Sequence, residues 1–185
     1  MTKTRIHLLA VVLCVASSSA IHAQGFFSDV AYSVNLGLGS STIVKPDEFE
    51  ANYNPGFGLT LDVGAQKKFL ELVANFDYNF FLRKGAVPND INILNLFLLV
   101  KIKPLDGKVR PYILGGGGYY RFWIFDLNHF ENVLGLTGGV GVEIEISKKQ
   151  RLFLEGKYVL GKTRETPEKT STQTIPFRIG LGWVF

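Results

Sequence analysis

Hydrophobic and polar positions alternate along most of the chain, and the alternation is most regular in the last twelve residues. One face of that segment is apolar up to the final residue and carries Ile175, Phe177, Ile179, Leu181, Trp183 and Phe185. The opposite face holds small or polar residues, including Arg178, Gly180 and Gly182. A period of two predicts an extended strand whose two faces meet different environments.

The same alternation predicts seven more strands upstream. Together the eight predicted strands cover residues 28–40, 56–65, 69–82, 94–102, 109–122, 133–146, 151–162 and 174–185. In the fourth strand Phe97 and Leu99 interrupt the polar face, so the pattern leaves its register open. The prolines lie between strands or near strand ends, where a missing backbone donor disturbs a sheet least.

The connections between these strands alternate between long and short. Long connections are predicted at 41–54, 83–90, 123–132 and 163–172, and tight turns near 66–68, 104–107 and 147–150. No run reaches the roughly 18 apolar residues that a spanning helix needs. Barrels that span bacterial outer membranes combine long external loops, short periplasmic turns and tilted, alternating strands. The pattern therefore predicts an all-β fold, an eight-stranded antiparallel up-and-down transmembrane β-barrel.

Side-chain volume indicates which face of this barrel points inward. Eight strands enclose only enough room for packed side chains, and the apolar faces hold too many large residues to fit there. The polar faces are rich in glycine, which suits a crowded lumen. We therefore predict two aromatic girdles that face lipid near the strand ends. Their predicted members are Phe57, Tyr78, Phe80, Tyr120, Phe122, Tyr158 and Phe177 at one rim and Tyr112, Trp183 and Phe185 at the other.

The polar faces also carry charged residues, which this arrangement places inside the barrel. The predicted lumenal charge network comprises Asp62, Glu71, Asp77, Lys101, Arg121, Glu143, Glu145, Glu155, Lys157 and Arg178. Six of these residues are acids and four are bases. Buried charges are costly unless they are paired, so we expect salt bridges that plug the lumen. An ion path or gate is one alternative, and an acid–base catalytic pair is the other.

The N-terminus has the features of a secretory signal peptide. Lys3 and Arg5 precede an apolar run at 8–16, and small residues follow it. We predict cleavage after Ala23, with cleavage after Ala20 as the alternative. The chain would then be exported.

This leader defines the predicted domains, a signal peptide over 1–23 and an outer-membrane β-barrel domain over 24–185. Cys14, the one cysteine, lies in the leader, and Leu13 stands where a lipoprotein cleavage site needs a small residue. Lipidation and disulfide bonding are therefore not expected. Removing the leader lowers the formal charge from +4 to +2, because it carries two bases and no acid. This balance makes no case for nucleic-acid binding.

The mature chain offers little material for catalysis. His129 is its one histidine, and the serine and spacing expected of an outer-membrane lipid deacylase are missing. We therefore predict no enzyme activity, no catalytic or metal-binding residues and no cofactor.

The connections bear on possible partners. Aromatic and acidic residues in the long connections either form a rim that binds a surface ligand, which the sequence does not identify, or lie at the lipopolysaccharide boundary. Six lysines in or beside the short turns either meet anionic phospholipid headgroups or are simply solvated. These are Lys67, Lys68, Lys103, Lys108, Lys148 and Lys149.

The eight-strand plan, the 110–121 segment, the 153–158 strand and the aromatic C-terminus resemble the small outer-membrane β-barrel family that includes OmpX and the membrane domain of OmpA. The resemblance covers the whole mature chain and rests on pattern, without a diagnostic motif. It implies residence in a Gram-negative outer membrane, among lipopolysaccharide and phospholipid. It also implies insertion by the barrel-assembly machinery, which recognises a last strand ending in Phe. The implied assembly signal is Phe177, Ile179, Leu181, Trp183 and Phe185.

A function follows from these expectations taken together. We expect a non-enzymatic integral outer-membrane protein with a structural or surface-interaction role and a lumen plugged by charged side chains. A small-solute or ion channel is the first alternative, and a lipid-modifying outer-membrane enzyme is the second.

Overall fold

The computed structural model describes residues 30–45, 52–84, 90–124, 129–162 and 171–185, so the predicted leader lies outside the described residues. Each strand pairs antiparallel with the next strand along the chain. The bounds are β1 Ala31–Lys45, β2 Gly56–Lys67, β3 Leu70–Phe81, β4 Ile91–Ile102, β5 Val109–Ile124, β6 His129–Ser147, β7 Gln150–Lys162 and β8 Ser171–Val184. β8 also pairs with β1, which closes the sheet and confirms the predicted fold class. No helix within the described ranges is long and apolar enough to span a membrane.

The connections distinguish the two ends of the barrel. One end, called the turn end below, holds the start of β1, the end of β8 and the three short turns after β2, β4 and β6. The opposite end is called the loop end. There, β5 runs to Ile124 and β6 begins at His129, so most of the connection predicted at 123–132 is strand instead. Trp123 pairs with Phe130 because the ladder of this hairpin continues further than the pattern indicated.

The strands of the barrel are strongly staggered. Starting from Ser33 on β1, successive backbone partners lead around the barrel and return to β1 at Ile43, ten residues further along. The intervening partners are Gly64, Val73, Leu99, Gly116, Thr137, Val159 and Thr174. Such a stagger requires strands tilted by about 35–45° from the barrel axis. The tilt brings side chains of non-adjacent strands together inside the barrel.

Alternate side chains of each strand point into the lumen. On β4, Asn95, Phe97, Leu99 and Lys101 are buried, whereas the leucines and valine between them are exposed. The predicted alternation therefore holds on β4, with two apolar residues accepted inside the barrel. The outward face is apolar around the circumference, with Leu36, Leu38, Leu59, Leu98, Leu136, Val140 and Ile179 among its exposed residues.

Three aromatic residues predicted to face lipid lie in the lumen instead. Tyr112, Tyr120 and Phe122 are only 2%, 1% and 7% exposed, so assigning them to the girdles was wrong. The two tyrosine rings fit because glycines on β6 and β7 face them. A Cβ on Gly141 would meet the Tyr112 ring, and a Cβ on Gly161 would meet the Tyr120 ring. The absence of a side chain at these glycines leaves room in the lumen for large rings, which the prediction from side-chain volume did not allow for.

The structure places the other predicted girdle residues on the outward face. Phe57, Tyr158, Phe177 and Phe185 are exposed there, and Tyr78, Phe80 and Trp183 are half-buried.

Candidate functional site in the lumen

Arg178 on β8 is fully buried and reaches across the lumen to β3. Its Nη2 donates to Asp77 Oδ1 at 2.8 Å, and its Nε donates to the same oxygen at 3.2 Å. Nη2 also donates to Asn79 Oδ1, and Nη1 donates to the backbone oxygen of Ser40 at 2.8 Å. Lys157 Nζ lies 3.2 Å from the second carboxylate oxygen of Asp77. One buried carboxylate therefore binds two cations from two other strands.

Lys157 continues this network toward the turn end. Its Nζ lies 3.2 Å from Glu155 Oε1, and Lys101 Nζ lies 3.1 Å from Glu155 Oε2. Lys101 also binds Asp62 Oδ2 at 2.9 Å. The Tyr112 hydroxyl donates to Glu155 at 2.9 Å, and its ring centroid lies 5.0 Å from the Lys101 ammonium. All five residues are buried, so opposite charges and hydrogen bonds replace the water that each group lost on folding.

A second set of ion pairs lies at the turn end of the lumen. Lys103 Nζ lies 2.8 Å from Glu71 Oε2 and 2.7 Å from Glu143 Oε1. The other oxygen of Glu143 binds Arg151 Nη1 at 3.0 Å. Ser33 Oγ donates to Glu71 Oε1 at 2.6 Å, which occupies the remaining carboxylate oxygen. This set joins β1, β3, β6 and β7 through Lys103, which directly follows β4.

Two cations of this second set are absent from the predicted charge network. The pattern places Lys103 in a turn and does not assign Arg151 to the lumen. The alternation of inward and outward side chains along a strand indicates both. Lys103 lies two positions after Lys101, and Arg151 lies two positions before Phe153, so each shares the inward face. The predicted excess of acids was a further signal, since buried carboxylates require partners.

Two predicted members of the charge network lie elsewhere. Arg121 is on the outward face near the loop end, with its guanidinium carbon 5.7 Å from the ring centroid of Trp123, so its assignment to the lumen was wrong. The inward and outward faces of β5 are the reverse of those predicted. Tyr120 therefore points inward, and its neighbour Arg121 points outward. Glu145 lies at the turn end, where it binds Arg110 at 3.0 Å with both side chains partly exposed.

The charges of the two sets of ion pairs are balanced among the described residues, with Arg151 half-buried and the other members buried. Five carboxylates meet five cations, and these residues are Asp62, Glu71, Asp77, Glu143 and Glu155 with Lys101, Lys103, Arg151, Lys157 and Arg178. In the same parts of the chain, no group of His, Cys, Asp and Glu side chains could hold a metal ion. The network therefore has the composition of a neutral cross-link between strands.

Apolar side chains fill the lumen between the charge network and the loop end. This apolar cluster includes Ile43, Tyr53, Phe81, Ile91, Ile93, Phe122 and Val159. Tyr53 closes the cluster from outside the strands, where it forms a bridge with Arg83. Burial and the nearby Asp90 carboxylate raise the pKa of the Tyr53 phenol. The loop end of the lumen is thus closed by uncharged rings and aliphatic groups.

Comparison with known families identifies the architecture. Residues 8–185 match the family described as the outer membrane protein beta-barrel domain. The chain belongs to this family. It is therefore an outer-membrane β-barrel protein, and in such barrels the turn end faces the periplasm and the loop end faces the cell exterior. Comparison with curated protein sequences gave no match.

Solved structures of outer-membrane barrels share the fold. Neisserial surface protein A, NspA, has a TM-score of 0.63 and 14% identity over 85% of this chain and 97% of its own. OprG from Pseudomonas aeruginosa has a TM-score of 0.58 and 17% identity over 84% and 95%. Ail, the attachment invasion locus protein of Yersinia pestis, has a TM-score of 0.56 and 16% identity over 85% and 99%. At these identities the likeness concerns the fold alone.

The outer-membrane barrel keeps several polar atoms buried without a protein partner. Both side-chain polar atoms of Asn95 lack a hydrogen bond within the described part of the chain, as do Asn79 Nδ2, Ser41 Oγ and Thr174 Oγ1. Backbone pairing places Asn95 beside Asp77, and it places Ser41 and Thr174 near each other where β1 meets β8. These groups lie beside the apolar residues nearer the loop end, and buried apolar side chains such as Leu99 also lie on the inward face next to the ion pairs.

Proposed function

We propose that this outer-membrane barrel acts as a non-enzymatic structural or surface-interaction protein, and that its lumen is a plug. The supporting observation is the occupancy of the lumen. Two sets of ion pairs join strands across its periplasmic part, and the apolar cluster fills its external part. An ion crossing the barrel would have to break buried ion pairs and then pass an uncharged layer, and both steps are costly.

Planar-bilayer recording tests the plug. The refolded mature barrel is expected to give no large, stable conductance. A tryptic digest of the same preparation should leave the folded barrel protected from cleavage. Large and stable open channels would overturn the proposal in favour of a small-solute or ion channel. A heat-modifiability gel supplies the folding control, because a folded barrel migrates differently before and after boiling.

A surface-interaction role is the more specific part of the proposal. The fold places four connections outside the cell, and external loops carry recognition in barrels of this kind. Most of their residues, 46–51, 85–89, 125–128 and 163–170, lie outside the described part of the chain. The related fold of Ail belongs to an attachment invasion locus protein and has been crystallised with the heparin analogue sucrose octasulfate. Binding of labelled cells to host-matrix polysaccharides, with a loop-deleted barrel as control, tests this role.

Assembly and lipid contacts complete the proposal. We infer that a leader over 1–23 is removed on export and that the barrel-assembly machinery recognises the last strand. The apolar outward face then meets phospholipid in the inner leaflet and lipopolysaccharide in the outer leaflet. Mass spectrometry of the purified barrel identifies its first residue. Lipid A is expected to remain unmodified when the protein is overexpressed, and a deacylated product would establish the enzyme alternative.

A further inference from the structure

The periplasmic turn end carries a concentration of exposed positive charge. Its exposed lysines are Lys67, Lys68, Lys108, Lys148 and Lys149. Within the described part of the chain, none of these five forms an ion pair. Four acids of the described ranges lie at this end: Glu71, Glu143 and Glu145 pair with Lys103, Arg151 and Arg110, and Asp106 is exposed. The turn end therefore presents a net positive surface that the fold does not neutralise.

Lys103 shows what a neutralised lysine looks like at the same end. It is 2% exposed and lies between the carboxylates of Glu71 and Glu143. Of the six lysines in or beside the turns, Lys103 thus pairs with carboxylates inside the lumen. The other five are available to a partner.

Backbone hydrogen bonds hold the turns in fixed positions relative to one another. Lys103 N donates to Phe69 O at 2.7 Å, which ties the end of β4 to the turn before β3. Glu145 N donates to Lys108 O at 2.7 Å, and Val184 N donates to Lys149 O at 2.9 Å. The backbone that carries the lysines is therefore ordered before any ligand arrives, so binding costs less entropy than ordering free loops would.

Exposed apolar side chains lie directly beside the lysines. They are Phe69, Leu105, Val109, Ile146 and Phe185. They extend the apolar outward face of the barrel to the turns, which places the lysines just beyond the edge of the hydrocarbon layer. This is the depth of phospholipid headgroups, where a long lysine side chain keeps its stem in the apolar region and its ammonium at the phosphates.

We propose that the five lysines form a binding surface for anionic phospholipid headgroups of the periplasmic leaflet. The ammonium groups bind the headgroup phosphates, and Phe69, Ile146 and Phe185 contact the upper acyl chains. The occupant is a lipid because charge and apolar surface alternate along the turns, whereas a soluble anion would leave those apolar groups in water. The surface lies away from the lumen and the external loops, so it stands whether or not the barrel conducts or binds a surface ligand.

Titration of the refolded barrel in zwitterionic micelles tests the surface. Short-chain phosphatidylglycerol is added, and amide shifts are followed by NMR, with short-chain phosphatidylcholine and inorganic phosphate as separate arms. We expect saturable shifts confined to the three turns for phosphatidylglycerol, weakened by salt, and weak shifts in the other arms. Equal affinity for phosphatidylcholine would overturn the proposal, and equal affinity for inorganic phosphate would show a phosphate surface without lipid recognition.

Charge-removing variants provide the matched comparison. Changing the five lysines to Gln is expected to weaken phosphatidylglycerol binding by at least about tenfold, since each basic residue near an anionic surface contributes appreciably to the binding free energy. Lys45→Gln with Lys84→Gln at the loop end is the control and should change affinity less than about twofold. Heat-modifiability gels verify folding, and Lys148→Gln with Lys149→Gln replaces the larger variant if that one fails to refold. Unchanged affinity in the folded turn variant would refute the surface.

Discussion

Replacing Arg178 with Ala is expected to be strongly destabilising. The substitution removes a buried guanidinium that makes hydrogen bonds to Asp77, to Asn79 and to the backbone oxygen of Ser40. Breaking a buried ion pair by removing one partner typically costs about 3–5 kcal/mol. Asp77 would keep Lys157 at 3.2 Å as its remaining cation. We therefore expect a loss near the lower end of that range, about 3 kcal/mol.

Urea-induced unfolding of the barrel in lipid vesicles measures this loss. Tryptophan fluorescence and the heat-modifiability gel report the same transition by independent means. Arg110→Ala is the matched control, because its pair with Glu145 has side chains that are 19% and 31% exposed. Pairs exposed to solvent contribute at most about 1 kcal/mol, so this control should shift the midpoint only slightly.

A double substitution separates the ion pair from loss of packing. Arg178→Met combined with Asp77→Asn removes both charges while keeping similar volume. The two changes should be less destabilising together than their separate effects added, with a coupling energy of about 1–3 kcal/mol. Strictly additive losses, or equal losses for Arg178→Ala and Arg110→Ala, would refute the view that the lumenal pair stabilises the barrel through buried charge.

Three further predictions follow from buried atoms and from the last strand. Asn95→Leu should raise the free energy of unfolding by about 1 kcal/mol, because both polar atoms of this buried side chain lack a protein partner in the described lumen. A lower denaturation midpoint for this variant would show that the amide is hydrogen-bonded. Gly58→Ala should cost about 1–3 kcal/mol, since the new Cβ would meet the buried guanidinium from β8. Gly138→Ala, with no contact nearer than 3.8 Å, should be nearly neutral, and equal unfolding midpoints would contradict this reasoning. Deleting Phe185 should reduce outer-membrane yield more than Phe177→Ala does, whereas equal yields by immunoblot would count against an assembly role for the last residue.

Alternation was sufficient to predict the fold because most strands have one apolar and one polar face. It failed on β5, where Tyr112, Ile113 and Leu114 are consecutive apolar residues and glycines follow from 115 to 118. No polar side chain in that segment distinguishes the faces. The lumen itself contains an apolar layer, so apolar character alone did not indicate lipid. The decisive information lies on other strands, where Gly141 and Gly161 make room for the rings.

The charge network was partly predictable for a related reason. Parity within a strand assigned Asp77, Glu155 and Lys157 to the lumen, where the structure places them. Which acid meets which base depends on the stagger between strands, and a single sequence does not specify that stagger. Lys103 was missed because it lies past the end of β4, from which its flexible side chain still reaches two carboxylates.

The contact between Arg178 and Asp77 joins residues 101 positions apart in the chain. It links the last strand to the third across the lumen, so we expect it to form late, once the sheet has curved into a barrel. Interactions formed that late contribute little to the folding rate and slow unfolding instead. The buried pair should therefore lower the unfolding rate of the closed barrel and lengthen the lifetime of the folded protein in the membrane.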